Sequence, residues 1–415
     1  MKLTVGIIGL GYVGLPLAIA LSRKHKIVGY DINKKRVEEL KKANDESNQI
    51  SSTDIKKAQI HFHYLAQNLK ECSVYIITVP TPLKDKTTPD FSFLKKASRS
   101  VSRILKKGDL VVYESTVFPG ATEEICVPIL ETSGLLFNHD FFVGYSPERI
   151  NIGDSQNNID NIPKIVSASN SLALKRLTDL YKSALGAKIY AVSSIRVAEA
   201  AKVIENSQRD VNIAFVNEMA IVLNNMGIDT REVLKAASTK WNFLDFNPGL
   251  VGGHCIGIDP YYLSHKSEEL GYKPKLLLSA RKINEHIPYF VCKKIIEKLK
   301  EHKIKTVGSK VLLLGAAFKE NTSDIRNSKA ITIANNLLNH HVKLTVCDPL
   351  IDSEEIPGNL QIRNKIPENE KFDVIIMAVK HKEFYSLSPL DLLTHNGFVY
   401  DIKHIFKNHP RIYRF

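Results

Sequence analysis

The chain has 415 residues, 44% hydrophobic and 24% charged, which suits a soluble globular protein of two or three domains. No apolar run reaches the roughly 18 residues that span a bilayer, and the opening Met1-Lys2-Leu3-Thr4-Val5-Gly6 has no signal-peptide pattern, so a cytoplasmic protein with no membrane partner is expected. The net charge of +13 would suit an anionic small substrate or nucleic acid. Its excess lies in pairs such as Lys34-Lys35 and Lys106-Lys107 without interleaved aromatics, the mark of a solvated surface, so no nucleic-acid partner is expected.

Taken in chain order, the runs 3–8, 27–30, 74–78, Leu110–Tyr113 and 141–144 are short, apolar and β-branched, as buried strands are. Helical spacing at 15–23, Lys34–Lys41 and 91–105 falls between them, and such alternation predicts a parallel, doubly wound sheet. One long helix without Pro or Gly is predicted over Ile195–Asn225. Shorter helices follow to Leu299, interrupted by a loop at 246–262. Alternation then resumes, with strands at 311–314, 344–347, 374–379 and 398–401 and a helix at 330–340. The fold class is α/β: two Rossmann-like doubly wound domains, 1–194 and 301–415, joined by a central helical domain, 195–300. The five cysteines, Cys72, Cys126, Cys255, Cys292 and Cys347, show no CxxC and no matching histidine spacing, so neither a metal site nor a disulfide framework is expected. Most should be buried.

Gly9-Leu10-Gly11-Tyr12-Val13-Gly14 follows the first strand and opens a helix. Gly9 permits the turn, Gly11 lets a pyrophosphate approach and Gly14 allows close strand–helix packing. Asp31 ends the next strand, where an acid suits two ribose hydroxyls and repels a 2′-phosphate, so the expected cofactor is NAD. Thr81, Thr116 and Glu148 follow the carboxyl ends of later strands, where open α/β sheets hold ligands; taken singly, such residues could equally be helix caps. On the long helix Lys202 and Asn206 share a face, which Arg209 and Asp210 extend. The neighbours Ala198, Ala200, Ala201, Val203, Ile204 and Val211 imply that little of this helix is exposed, so buried Lys202 and Asn206 would need a polar partner such as a developing oxyanion or phosphate.

The stretch Asn247-Pro248-Gly249-Leu250-Val251-Gly252-Gly253-His254-Cys255-Ile256-Gly257-Ile258-Asp259-Pro260 surrounds one cysteine with glycines. A lone cysteine is commonly structural, but here the thiol is presented rather than packed, and a thiolate can attack an aldehyde. If a helix starts at Cys255, Asp259 lies one turn away and can orient a water. In the last domain Lys319 and Arg326 stand at the mouth of the second sheet. They could meet a second nucleotide or form a surface ion-pair cluster with Glu320 and Asp324.

Together Gly-Leu-Gly-Tyr-Val-Gly-Leu-Pro, Ser115-Thr116-Val117, Pro147-Glu148, Lys202…Asn206, Gly252-Gly253-His254-Cys255…Asp259 and Phe318-Lys319…Arg326 resemble the UDP-glucose/GDP-mannose dehydrogenase family over essentially the whole chain. His254 before the cysteine looks like the branch that oxidises UDP-N-acetylhexosamines, where UDP-glucose enzymes usually carry Ser. The resemblance implies two successive oxidations of the sugar C6 hydroxymethyl to a uronate, with UDP-GlcNAc or UDP-GalNAc as substrate, for surface polysaccharide. UDP-glucose, UDP-ManNAc and GDP-mannose stay open as alternative substrates. It implies a dimer formed by the long helix, and Cys255 trapping the aldehyde as a thiohemiacetal. Lys202 and Asn206 would stabilise oxyanions, while Thr116, Glu148 and Asp259 hold water and move protons. Implied cofactor contacts are Gly9, Gly11, Tyr12, Val13, Gly14, Asp31, Arg36, Thr81, Thr116 and Arg326. Implied substrate contacts are Glu148, Lys202, Asn206, Leu244, Asn247, Pro248, Gly252 and Lys319. Lys240 is the only basic residue at 239–243, where UDP-glucose enzymes place an arginine that reaches the neighbouring subunit, and Ile258 stands where they commonly have a lysine. A two-electron hydroxy-acid dehydrogenase and a non-catalytic nucleotide sensor are the competing classes.

Overall fold

The computed structural model describes residues 2–46, 49–85, 87–150, 158–351 and 360–415. They form two compact units: 1–205 with 261–273, and 206–260 with 274–415.

The first unit is built on an eight-stranded sheet. Its strands are β1 (Thr4–Ile8), β2 (Lys26–Tyr30), β3 (His61–His63), β4 (Val74–Ile77), β5 (Leu110–Tyr113), β6 (Phe142–Tyr145), β7 (Lys164–Ala168) and β8 (Ile189–Ala191). Their order is β3-β2-β1-β4-β5-β6-β7-β8; only β6 and β7 pair antiparallel. The first six give the 3-2-1-4-5-6 order of a doubly wound dinucleotide-binding sheet. Central strands such as β4 and β5 are buried at every residue, which is why their sequences read as continuous apolar runs. Helices α1 (Gly14–Ser22), α2 (Lys34–Lys41), α3 (Ser52–Lys57), α4 (Ser92–Ser102), α5 (Val127–Glu131) and α6 (Ser171–Ala184) are interspersed with them along the chain. One core gathers Val5, Ile7, Leu17, Ile76, Val112 and Leu177.

Helix α7 runs Ile195–Asn225, α8 Thr230–Ala237, α9 Asp259–Glu269 and α10 Lys275–Glu301. The middle of the chain is helical as expected, with three differences. The expected loop 246–262 ends early, because α9 starts at Asp259 with Pro260 in its first turn, where the missing proline N–H costs nothing. The expected short helices to Leu299 are instead dominated by one of 27 residues, α10, which carries Pro288 inside it. And α7 is not largely covered: Ile204 and Phe215 are more than half exposed and Arg209 is exposed, so of the predicted extension of the polar face only Asp210 is buried.

The second unit carries β9 (Lys310–Leu314), α11 (Lys329–Asn339), β10 (Lys343–Cys347), β11 (Ile362–Arg363), β12 (Phe372–Met377), β13 (Leu393–Asp401) and β14 (Ile412–Arg414). The sheet order β11-β10-β9-β12-β13-β14 repeats the pattern of the first, all parallel. Cores lie on both faces: Val311, Leu313 and Ile376 pack with Ile295 and Ile333, and Leu312, Leu314 and Ile375 pack with Phe384 and Phe406.

Candidate functional site

In the first unit the glycine turn is fixed by its surroundings. Gly9 has φ +94°, and a Cβ on Gly14 would lie 1.8 Å from the Gly9 carbonyl oxygen. A Cβ on Gly11 would meet nothing within 4 Å, so no protein packing requires a glycine there. That fits a residue kept small for an approaching pyrophosphate. Tyr12 and Val13 are half-buried in the same turn. Asp31 accepts from the Leu10 amide (2.9 Å) and the Asn33 amide (2.8 Å). Arg36 donates to the Leu10 carbonyl (3.1 Å) and pairs with buried Asp45 (2.7 Å). Asp31 and Arg36 are therefore both tied to the glycine turn. Beyond β4 and β5, Thr81 donates to the Thr116 carbonyl (2.8 Å), and the Tyr262 hydroxyl donates to the Thr81 carbonyl (2.5 Å).

A buried polar cluster follows β6. Glu148 accepts from the amides of Arg149 (2.6 Å) and Ile150 (2.9 Å) on one oxygen and from Lys164 (2.7 Å) on the other. Lys202 donates to the Glu148 main-chain carbonyl (2.6 Å). Burial opposes charge on Glu148, yet the Lys164 ammonium and its hydrogen bond hold the carboxyl below the usual range. One turn before Lys202, fully buried Glu199 accepts from the Gly120 (2.5 Å) and Thr122 (2.9 Å) amides, and burial pushes it up to about 7.

In the second unit Cys255 sits in a series of turns whose last residues, Ile258 and Asp259, donate their amides to its carbonyl (3.1 and 2.9 Å). The helix thus starts one turn after the cysteine, with Asp259 at its head. Asn206 donates to the Asp259 carboxylate (2.5 Å), which joins two of the predicted residues. Cys255 is exposed, while Cys72, Cys126, Cys292 and Cys347 are buried and pushed up to about 12 by burial. Those four are inert thiols. The loop is clamped from the segment after β9: Asn327 donates to the Gly253 carbonyl (3.0 Å). A Cβ on Gly252 would lie 2.7 Å from the Asn327 carbonyl oxygen, and one on Gly253, at φ +77°, 2.5 Å from the Phe318 ring. His254 lies 3.9 Å from Asp324, and burial with the nearby Arg326 guanidinium lowers its basicity. Arg326 grips Asp324 through Nε (2.9 Å) and Nη2 (2.6 Å), so the acid partner of the alternative reading is present. Lys319 is half-buried, its ammonium 5.7 Å from the Phe318 ring centroid. Leu244 and Asn247 are exposed and Pro248 half-buried. Among the described residues no group of His, Cys, Asp and Glu could hold a metal ion.

Residues 3–185 match the model for the NAD binding domain of the UDP-glucose/GDP-mannose dehydrogenase family, 196–286 its central domain and 312–408 its UDP binding domain. The chain belongs to the UDP-glucose/GDP-mannose dehydrogenase family. Its cofactor is NAD, and it is an oxidoreductase. Similar relatives include a UDP-N-acetyl-D-glucosamine 6-dehydrogenase of Pseudomonas aeruginosa, 47% identical over 93% of this chain and 92% of that one. Another of that name, from Salmonella typhi, is 46% identical over 97% and 96%. A solved UDP-D-ManNAc dehydrogenase from Pyrococcus horikoshii superposes with a TM-score of 0.89 at 30% identity, covering 99% of this chain and 98% of that one.

Several polar groups of the two units were not legible in the sequence. Lys164 opens β7 in a segment with weak strand signal, and nothing in its neighbours announces two carboxylate partners. Asp348 accepts from the Ala316 (2.7 Å) and Ala317 (3.1 Å) amides, and fully buried His381 lies 3.0 Å away. An acid directly after the second strand of the second sheet was the available signal, since Asp31 stands at the same place in the first. Lys403, half-buried after β13, is a further cation of this unit whose basicity burial lowers.

Proposed function

We propose that this enzyme oxidises the C6 hydroxymethyl of UDP-N-acetyl-D-glucosamine to the carboxylate, with two NAD per sugar and one water: R–CH2OH + 2 NAD⁺ + H2O gives R–COO⁻, 2 NADH and 3 H⁺. The observation that carries this reading is the presentation of Cys255. It is the exposed thiol of the five, on a loop whose Gly252 and Gly253 are required by contacts to Asn327 and Phe318. Relatives named for the N-acetylglucosamine substrate are 46–47% identical, against 30% for the mannosamine enzyme, which favours the former sugar.

NAD, when bound at Gly9–Gly14 and Asp31, supplies the electron acceptor. The chain's own residues supply the rest. Cys255 adds to the C6 aldehyde, forming a C–S bond, and holds a reactive intermediate that would otherwise escape. After the second oxidation the resulting thioester is hydrolysed. Lys202 and Asn206 stabilise oxyanions at C6, and Thr116, Glu148 and Asp259 hold the water and move its protons. Gly252, Leu244, Asn247, Pro248 and Lys319 contact the UDP-sugar, and Tyr12, Val13, Arg36, Thr81 and Arg326 the cofactor. Residues 1–194 bind NAD, 195–300 carry the Cys loop and 301–415 bind UDP.

The protein acts as a cytoplasmic homodimer in surface polysaccharide formation. Exposed Val197, Ile204, Phe215 and Val222 on α7 support association through that helix. Among the described residues no helix is long and apolar enough to cross a membrane.

NADH release across UDP-N-acetylglucosamine, UDP-N-acetylgalactosamine, UDP-N-acetylmannosamine and UDP-glucose tests this. Two NADH per UDP-N-acetylglucosamine and no carboxylate from Cys255→Ala are expected. One NADH per sugar, unaffected by that substitution, would sink the covalent mechanism; preference for another sugar would sink the substrate assignment.

A further inference from the structure

Glu148 belongs to a buried cluster that the mechanism above leaves mostly unused. Lys164 donates to Glu148 Oε2 (2.7 Å) and to Glu114 Oε2 (3.1 Å). The Tyr181 hydroxyl donates to Glu114 Oε1, and the Lys164 ammonium lies 5.1 Å from the Tyr181 ring centroid. All four side chains belong to buried or nearly buried residues, with Glu148 the most accessible at 8%. From α7, Lys202 donates to the Glu148 carbonyl. Arg149 donates to the Lys202 carbonyl (2.5 Å) and pairs with Glu205 (2.6 Å). Among the described residues, the charged and titratable groups facing Glu148 are therefore Lys164, Glu114, Tyr181, Lys202 and Arg149, with Glu205 behind the last.

Two carboxylates and one ammonium in a dry site cannot all be charged at equal ease. Glu148 has three donors on its carboxylate, two amides and the nearer contact to Lys164. Glu114 has two, a phenol and the longer contact. Charge therefore settles on Glu148. Burial, against the attraction of Lys164, raises Glu114, and the charge of Glu148 adds to that rise.

We propose that Lys164 is a positioning residue of the reaction: it keeps Glu148 ionised and aimed to orient the hydrolytic water, while Glu114 carries the spare proton of the cluster. This rests on the reading of Glu148 given above. In the step concerned the water oxygen joins the acyl carbon and the C–S bond breaks. One water proton restores the Cys255 thiol, the other leaves as the uronic acid ionises, and no electrons move. Loss of Lys164 should leave both oxidations in place and slow only hydrolysis.

The experiment mixes enzyme rapidly with UDP-N-acetyl-D-glucosamine and saturating NAD. At a pH on the acid limb, Lys164→Met should release two NADH per active site in a burst and then turn over about tenfold more slowly than the wild type, with an acyl adduct on Cys255 in the acid-quenched mass spectrum. Its acid limb in the pH profile of kcat should move up by about one pH unit, a tenfold loss of the ionised form at a given acid pH. KM for the sugar nucleotide should stay within about twofold, since ground-state binding is untouched, and Lys164→Arg should restore turnover. Because Lys164→Met leaves two buried carboxyl groups facing each other, the double variant Lys164→Gln/Glu114→Gln replaces the second, protonated carboxyl by a neutral amide and should show the same displaced limb. An unmoved acid limb, or a burst without adduct, overturns the proposal. Glu148→Gln separates the two layers: if it hydrolyses like the wild type, the reading of Glu148 fails and takes this inference with it. If it accumulates adduct while the Lys164 variants do not, only the inference fails.

Discussion

Gly11 and Gly14 occupy one turn and answer to different atoms. A Cβ at Gly14 would collide with the Gly9 carbonyl at 1.8 Å and the Thr78 hydroxyl at 2.5 Å, whereas one at Gly11 would touch no protein atom. Gly14→Ala should therefore destabilise the first unit by about 3 kcal/mol or more, an overpacking cost against backbone that cannot yield. Gly11→Ala should leave stability within about 0.5 kcal/mol and raise KM for NAD at least tenfold. Urea melts and NADH kinetics on both variants check this, and a Gly11 variant that binds NAD normally would refute the ligand-based account of that glycine. The sequence pattern GxGxxG was enough to locate both residues, because the strand and helix flanking it are local. It could not rank their roles, since Thr78 approaches from the neighbouring strand. Lys164 shows the same limit more sharply: its two carboxylates are 50 and 16 residues away in the chain, and it is the antiparallel pairing of β7 with β6 that brings the start of β7 to the carboxyl ends of the strands before it.

At the scale of elements, the Cys loop of the second unit stands on a relay of polar groups that runs from the buried Asp210–Arg281 pair out to the exposed Asn327. Asp210 on α7 meets Arg281 on α10 (2.5 Å) and Asn284 (2.7 Å). Arg281 also pairs with Glu285, Glu285 with Lys329 of α11 (2.6 Å), and Lys329 with the Asn327 side chain (3.1 Å) that clamps Gly253. Asn217 secures the loop's other end, giving to and receiving from Gly249 (3.1 and 2.8 Å). The absence of Pro and Gly made the extent of α7 legible, Ile195–Asn225, but Arg281 reads in sequence as an ordinary helical cation. Removing its charge alone leaves Asp210 buried without its counter-ion. Arg281→Met should therefore cost about 3–5 kcal/mol, and Arg281→Met/Asp210→Leu should recover most of that loss. A double-mutant cycle by urea denaturation measures the coupling. Additive losses at the two positions would mean that the pair contributes nothing to holding the unit together.

Across the whole molecule the two sheets repeat one local device. The amide of Gly9 donates to the Tyr30 carbonyl (2.9 Å) and that of Gly315 to the Cys347 carbonyl (2.8 Å). An acid one residue further on, Asp31 or Asp348, then receives the amide that follows the glycine. The copies differ where function divides them. Asp31 is half-buried, whereas Asp348 is fully buried against His381 and so cannot offer its carboxylate to a ribose. The second loop is therefore built for a different ligand from the first, as the NAD and UDP binding domains of the family require. Each unit also has its own core, so each ligand should stabilise chiefly the unit that holds it. At a hundredfold excess over Kd the linkage is about 2.7 kcal/mol, enough to slow exchange of amides that open with that unit about a hundredfold. Hydrogen exchange with NAD alone should then show protection at residues 9–14 and 31–36 and through the first sheet. UDP alone should protect 316–327 and the second sheet, including the Gly253 loop that Asn327 clamps. Protection spread evenly over both units by either ligand would show that they open as one, and the division of labour between the two loops would have to be sought in the chemistry of the bound state instead.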